Sequence, residues 1–278
     1  MKNDKLGINN LLLTQKLFLK ELFSLKPILL KGVLLFITSM FLFSCDSEEA
    51  IDCFQVEGNS IQQEVVVDTF EEITIYNDIK VYLTYGATQK IELETGQNLI
   101  NDASFRVEEN HLHIENSNTC NFFRDYEAIK VYITIPNLTY LRNGSQFTVE
   151  STNTLAFNNL TIVSEDAEGD NDYYTNGDFK LVVDAEKITV VNNNMSDYFI
   201  SGEVEDLQIG FFNGDGRFEA ENLVAQDVTI FHRGSNQIIV NPQQSLTGTL
   251  YSTGDLISKN NPPTVEIEEL YTGKLIFD

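Results

Sequence analysis

Beyond residue 60 the chain is written in short runs that alternate apolar and polar positions: EVVVD, EEITIYN, IKVYLTY, KIELET, SFRVEE, HLHIEN and IKVYITIP. Each run is rich in Val, Ile, Thr, Tyr or Phe and is bounded by Gly, Asn or Asp. A period of two, punctuated by turn formers, predicts strands with one buried face. Helical periodicity is almost absent after Cys45, so the exported chain is expected to be nearly all β.

From Asn137 a looser repeat is superimposed on the alternation. Its anchors are LTYL (138–141), LTIV (160–163), ITVV (188–191), LQIG (207–210) and VTIF (228–231), with starts 22, 28, 19 and 21 residues apart. Most are followed by a polar turn and a second strand, as in NNNMSDYFISG and RGSNQIIVN. A unit of this kind predicts a β-solenoid, in which each coil stacks its apolar residues on the next and no coil is stable alone. On that reading Leu138, Leu160, Ile188, Leu207 and Val228 form one internal stack. Tyr140, Ile162, Val190, Ile209 and Ile230 form a second, and Thr139, Thr161, Thr189, Gln208 and Thr229 form a polar outer row. Asn-rich turns such as Asn192-Asn193-Asn194 are expected to bond along the stack. A β-sandwich also gives short strands and turns, but does not require the same pattern to recur.

The N-terminal pattern is different. Val33 to Phe43 is an apolar run of 11 residues behind Lys20, Lys26 and Lys31. That is short of the roughly 20 residues a membrane-spanning helix needs, and it reads as the core of a signal peptide covering residues 1–44. Leu42-Phe43-Ser44-Cys45 resembles a bacterial lipobox, which makes Cys45 the lipid-attachment residue and the first of the mature chain. An ordinary secretory signal is the alternative. A single-pass anchor is disfavoured because acids, rather than a basic cluster, follow the run. Residues 45–52 then form an acidic tether and 53–278 the β domain.

Charge narrows the partners. The whole chain carries 18 Lys+Arg and 42 Asp+Glu; removing 1–44 takes away six Lys and two acids and leaves a net charge of −28. So negative a surface repels nucleic acid and anionic headgroups, so membrane contact is expected through the lipid on Cys45 alone. With Cys45 acylated, Cys53 and Cys120 remain as an even pair in an oxidising compartment. A disulfide is the natural reading and two buried thiols the alternative.

Several stretches, AIDCFQVEGN (50–59), FEEITIYNDIKVYLTYG (70–86), LHIENSNTCNFFRDY (112–126), IKVYITIPNLTYLRNGS (129–145) and GDLISKNNPPTVEIEELYTGKLI (254–276), resemble the head GIN domain family of auto-transporter adhesins, common in lipoproteins of Bacteroidetes. The resemblance runs from about residue 50 to the C-terminus, in pattern and order rather than in a catalytic signature. It implies a right-handed parallel β-helix with no established biochemical activity. It also places the family's paired cysteines on Cys53 and Cys120. Asp46, Glu48 and Glu49 resemble the signal that sends lipoproteins of this phylum to the cell surface; a plain acidic tether is the alternative.

Candidate chemistry is sparse. His111 and His113 sit two apart in a predicted strand and so share a face, which could begin a metal site; two solvent-facing residues of a half-buried strand explain them more simply. The segment SEDAEGDNDYYTNGD (164–178) concentrates acids but matches neither an EF-hand loop nor the glycine-rich nonapeptide of calcium-binding β-rolls, and reads as a solvated insertion rather than a calcium site. No G-x-S-x-G elbow or H-E-x-x-H helix exists. Arginine in the exported chain is confined to Arg106, Arg124, Arg142, Arg217 and Arg233. No catalytic, cofactor-binding or metal-ligating residue is therefore assigned. The aromatic pairs Phe122-Phe123, Tyr173-Tyr174, Tyr198-Phe199 and Phe211-Phe212 each send one ring outward, which could stack a sugar or dock a protein. The sequence thus predicts a non-enzymatic outer-membrane or cell-surface lipoprotein for adhesion or envelope assembly, with a glycan or protein ligand unspecified. The competing reading is a polysaccharide lyase or hydrolase on the same scaffold, which a groove holding acids beside a basic residue would favour.

Overall fold

A computed structural model describes residues 54–118, 120, 129–165 and 176–278. These are all β apart from a 3-10 turn, Gln97–Leu99. In chain order the strands are β1 (Ser60–Val65), β2 (Glu72–Tyr76), β3 (Lys80–Tyr85), β4 (Lys90–Gly96), β5 (Ala103–Glu108), β6 (His111–Asn116), β7 (Lys130–Ile135), β8 (Tyr140–Gly144) and β9 (Val149–Ser151). They continue with β10 (Asn159–Ser164), β11 (Phe179–Asn192), β12 (Tyr198–Phe211), β13 (Phe218–His232), β14 (Ile238–Leu250), β15 (Leu256–Ser258), β16 (Thr264–Glu269) and β17 (Leu275–Phe277). Every predicted run coincides with a strand except EVVVD, which leaves β1 after Val65 and exposes Val66.

All of these strands join one sheet, and the sheet is mixed. From β8 onward each pairing is parallel, but β4 runs antiparallel to both β1 and β7, and β5 antiparallel to β6. Strands β11 to β14 are long enough to serve two banks. Their first halves align with β9, β15 and β17, and their second halves with β10 and β16. The pair β2–β3 is not placed by chain order. β2 lies between β6 and β8, and β3 between β7 and β9, so residues 72–85 are slotted between 111–135 and 140–151.

Register tests the repeat directly. Leu160, Ile188, Leu207 and Val228 are successive partners, as are Ile162, Val190, Ile209 and Ile230, and both sets are buried. Thr161, Thr189, Gln208 and Thr229 are aligned between them on the outer side, and Thr247 extends the row. LTYL departs by one residue: Tyr140 pairs with Thr161 and Leu141 with Ile162. Tyr140 therefore faces outward and Leu141 inward, while Leu138, though buried, occupies the corner before β8. With a side-chain period of two, a slip of one residue exchanges inside for outside.

The first bank has its own internal row: Leu93, Val131, Val81, Val149, Phe179, Tyr198, Phe218, Ile238 and Leu256 are partners in turn. Where the second bank turns, the internal row becomes partly polar: Asn143, Ser164, Asn192 and His232 are all buried, with Phe211 standing between the last two. Side-chain amides bond along the stack at several turns, as expected: Asn236 donates to the Asp215 carbonyl at 3.2 Å and Asn260 to the Pro242 carbonyl at 2.7 Å, whereas Asn192 reaches the Asn194 carbonyl of its own turn at 3.4 Å. Asn143 donates to the Phe147 carbonyl at 2.9 Å and accepts from the Ser145 amide at 3.1 Å, which closes its own turn, and it also reaches the Asp178 carbonyl of the next coil at 3.3 Å. Ser164 instead meets the Ser196 hydroxyl at 2.6 Å. Buried polar groups must be paired, and here the turn backbone supplies most of the partners.

His232 gives this corner a pH dependence. Its Nδ1 accepts from the Gly234 amide at 3.3 Å, which leaves Nε2 as the donor to the Asn236 carbonyl at 2.8 Å. Burial pushes the imidazole pKa below its ordinary 6.5; the Asn236 bond and Asp255 only partly offset this. The unfolded chain therefore takes up the proton first. Stability is complete above pH 6.5 and falls as pH drops from there through the folded-state value. The melting temperature should decline between pH 7 and pH 5 more steeply for the wild type than for His232→Leu; parallel profiles would contradict this.

Candidate functional site

Cys45 and Cys53, the aromatic pairs 122–123 and 173–174, and most of the acidic segment 164–178 lie outside the described residues. Cys120 lies within them and is disulfide-bonded.

The two histidines do share a face. Their rings stack at 4.6 Å on the outer side of β6. His111 is engaged on both nitrogens, Nδ1 with the Glu72 carboxylate at 2.9 Å and Nε2 with the Thr74 hydroxyl at 2.7 Å. His113 Nδ1 meets the Tyr76 hydroxyl at 3.1 Å. Burial pushes the His113 pKa down, and His111 and Arg106 add to the effect against Glu108. The pair is thus a hydrogen-bonded cross-strand cluster. Among the described residues, no three His, Cys, Asp or Glu side chains converge as metal ligands.

The aromatic pairs split as alternation requires. Tyr198 and Phe211 are wholly buried, whereas Phe199 and Phe212 are exposed. Phe212 belongs to a larger group. Its ring centroid lies 5.0 Å from that of Phe231, which lies 4.7 Å from Tyr251. Phe212 can lean over the sheet because Gly210 is beneath it: a Cβ there would come within 2.7 Å of the Phe212 ring. The strip of three rings runs across the C-terminal ends of β12, β13 and β14. At its end lie Leu270 and Tyr271, 51% and 63% exposed. Phe231 and Tyr251 belong to no adjacent aromatic pair in the sequence and become neighbours only through the stacking.

The first bank carries a groove of about 420 Å³. Lys180, Phe199 and Glu219 are cross-strand partners along it, with Glu150 next to Lys180. The lip is made by a β-bulge. Between Phe199 and Gly202 on β12 lie two residues, and between their partners Glu219 and Leu223 lie three. The extra residue breaks alternation, and Glu221 and Asn222 are both exposed. Two of the acids are already paired: Glu150 with Lys80 at 3.4 Å and Glu219 with Arg217 at 2.6 Å.

Comparison with known proteins agrees with this architecture. The family model described as "Putative auto-transporter adhesin, head GIN domain" matches residues 69–262. None of the curated proteins matches the sequence. Among solved structures, a "putative adhesin" from Bacteroides fragilis NCTC 9343 superposes with a TM-score of 0.68 at 19% identity, covering 79% of this chain and 97% of that one. A "putative lipid binding protein" from Parabacteroides distasonis ATCC 8503 superposes with a TM-score of 0.52 at 15% identity, over 80% and 97% of the two chains. At these identities the likeness is one of fold.

Proposed function

The chain belongs to the head GIN domain family, and from that premise we propose a non-enzymatic outer-membrane or cell-surface lipoprotein that presents its lateral face for adhesion or envelope assembly. The observation that carries the reading is the outward-facing aromatic strip in which exposed Phe212 and Tyr251 flank half-buried Phe231. Contiguous apolar surface on a chain otherwise solvated by acids marks a place where something docks. We take the parallel, in-register part of the sheet as a right-handed parallel β-helix. Its support is the return of the strand after 19, 21, 18 and 19 residues, at Ile188, Leu207, Val228, Leu246 and Val265. Among the described residues no helix is long and apolar enough to cross a membrane. The lipid on Cys45 supplies the membrane contact in this proposal. The test is a glycan and cell-surface array probed with the processed, full-length protein: retention on defined surfaces is expected, and retention on none would contradict adhesion.

Two cysteine predictions belong to this reading. Cys45→Ala should leave an unlipidated, mislocalised precursor, and a fatty-acid probe that still labels the variant would contradict the assignment. Cys53 and Cys120 should appear as one crosslinked peptide in mass spectrometry of the non-reduced mature protein. By the chain-entropy estimate, such a bridge contributes roughly 4 kcal/mol. Alkylation of both as free thiols would refute the pairing.

The groove favours a second reading. Glu150, Glu219 and Glu221 beside Lys180 form the kind of acid cluster with a basic residue that a polysaccharide lyase or hydrolase needs. Product release from a polysaccharide panel, lost in Glu221→Gln, would replace the adhesin reading with this one.

A further inference from the structure

We propose that the bulge-lipped groove of the first bank is a binding subsite for a neutral glycan, with Phe199 as its stacking platform. Three observations carry it. The first is shape: about 420 Å³ lies within the usual range of ligand pockets, and the bulge at Glu221 and Asn222 raises a wall that a regular coil lacks.

The second is the floor. Phe199 is 39% exposed and Val182 beside it 40% exposed. An aromatic face suits the C–H face of a pyranose ring, and hydrogen-bonding groups at its edge suit the hydroxyls. Lys180 donates, Glu221 accepts, and Ser201 and Asn222 do both. A sugar hydroxyl also donates and accepts, so the groove can satisfy it from either side.

The third is charge. Although the groove holds three carboxylates, Lys80 neutralises Glu150 and Arg217 neutralises Glu219. Glu221 and Lys180 remain, which balance. A basic peptide finds no unpaired acidic cluster there. An acidic glycan meets the field of a chain with net charge −24. A neutral, hydroxyl-rich ligand fits both conditions. The subsite is separate from the aromatic strip and does not depend on adhesion through it.

The test is calorimetric titration of the processed full-length protein with neutral gluco-, xylo- and N-acetylglucosamine oligosaccharides, an oligogalacturonate and a lysine-rich peptide. Binding of at least one neutral oligosaccharide is expected. Phe199→Ala should weaken it about tenfold or more, Phe199→Tyr should restore it, and Thr229→Ala on the other bank should leave it unchanged. Melting curves of each variant separate lost binding from lost folding. No neutral oligosaccharide binding by the wild type, equal binding by folded Phe199→Ala, or binding only of the peptide or the oligogalacturonate would overturn the proposal. Cell-surface retention by Phe199→Ala with oligosaccharide binding gone would leave adhesion through the strip standing. Oligosaccharide binding by a wild type that is retained on no surface would leave the subsite standing without it.

Discussion

Tyr198→Ala should destabilise the protein by about 3–5 kcal/mol, the cost of deleting a large aromatic from a core that cannot close around the void. Tyr198 is wholly buried, and its ring stacks on Phe179 at 4.9 Å with 12° between the planes. Phe211 and Phe218 lie 5.6 Å and 6.0 Å away. The ring therefore ties the internal row of the first bank to the corner of the second. Its hydroxyl adds little, since it reaches the Val191 carbonyl and the Asn192 side-chain oxygen only at 3.4 Å. Burial, with Glu165 and Asp178 nearby, holds its pKa well above 10, so it remains a neutral phenol. Tyr198→Phe should accordingly cost no more than about 1.5 kcal/mol. Urea denaturation of the two variants checks both figures. A Tyr198→Ala variant within about 1 kcal/mol of wild type would mean the stack relaxes as independent coils.

Ile209→Ala should cost about 2–5 kcal/mol, because Ile209 is held between Val190 and Ile230 in the second bank and the backbone ladder fixes the spacing. Gln208 is its immediate neighbour in sequence but points outward and bonds Asp206 at 3.0 Å. Gln208→Ala should stay within about 0.5 kcal/mol. The same urea titration distinguishes them. Equal effects at the two positions would contradict the inside–outside assignment on which the stack rests.

The second bank could be read from sequence because LTIV, ITVV, LQIG and VTIF share one phase and follow one another in space. LTYL failed because the corner at Pro136-Asn137 resets the alternation, which apolar spacing alone does not reveal. The slotting of β2–β3 between β6 and β8 was hidden for another reason. Sequential strands usually pair, and residues 72–85 pair instead with segments some 40 to 50 and about 70 residues on. The antiparallel β4 and β5, which make the sheet mixed, carry the same alternation as the parallel strands.

The candidate surfaces follow the same division. Phe199 and Phe212 were legible as outward rings because each adjoins an inward one. Phe231 and Tyr251 were not, although setting VTIFHRG beneath LQIGFFNG would have placed Phe231 beside Gly210 and next to Phe212. The groove left only a trace in the sequence, the adjacent polar pair Glu221-Asn222 within FEAENLV, where strict alternation breaks.

The claim that the protein works by docking through its lateral face is tested most directly by a binding isotherm of the processed, full-length protein on whichever surface retains it. The wild type is compared with Phe231→Ser/Tyr251→Ser at matched melting temperature. The account predicts that the substituted strip loses most of the retention, about tenfold or more in affinity. Superimposable isotherms from equally folded proteins would contradict it.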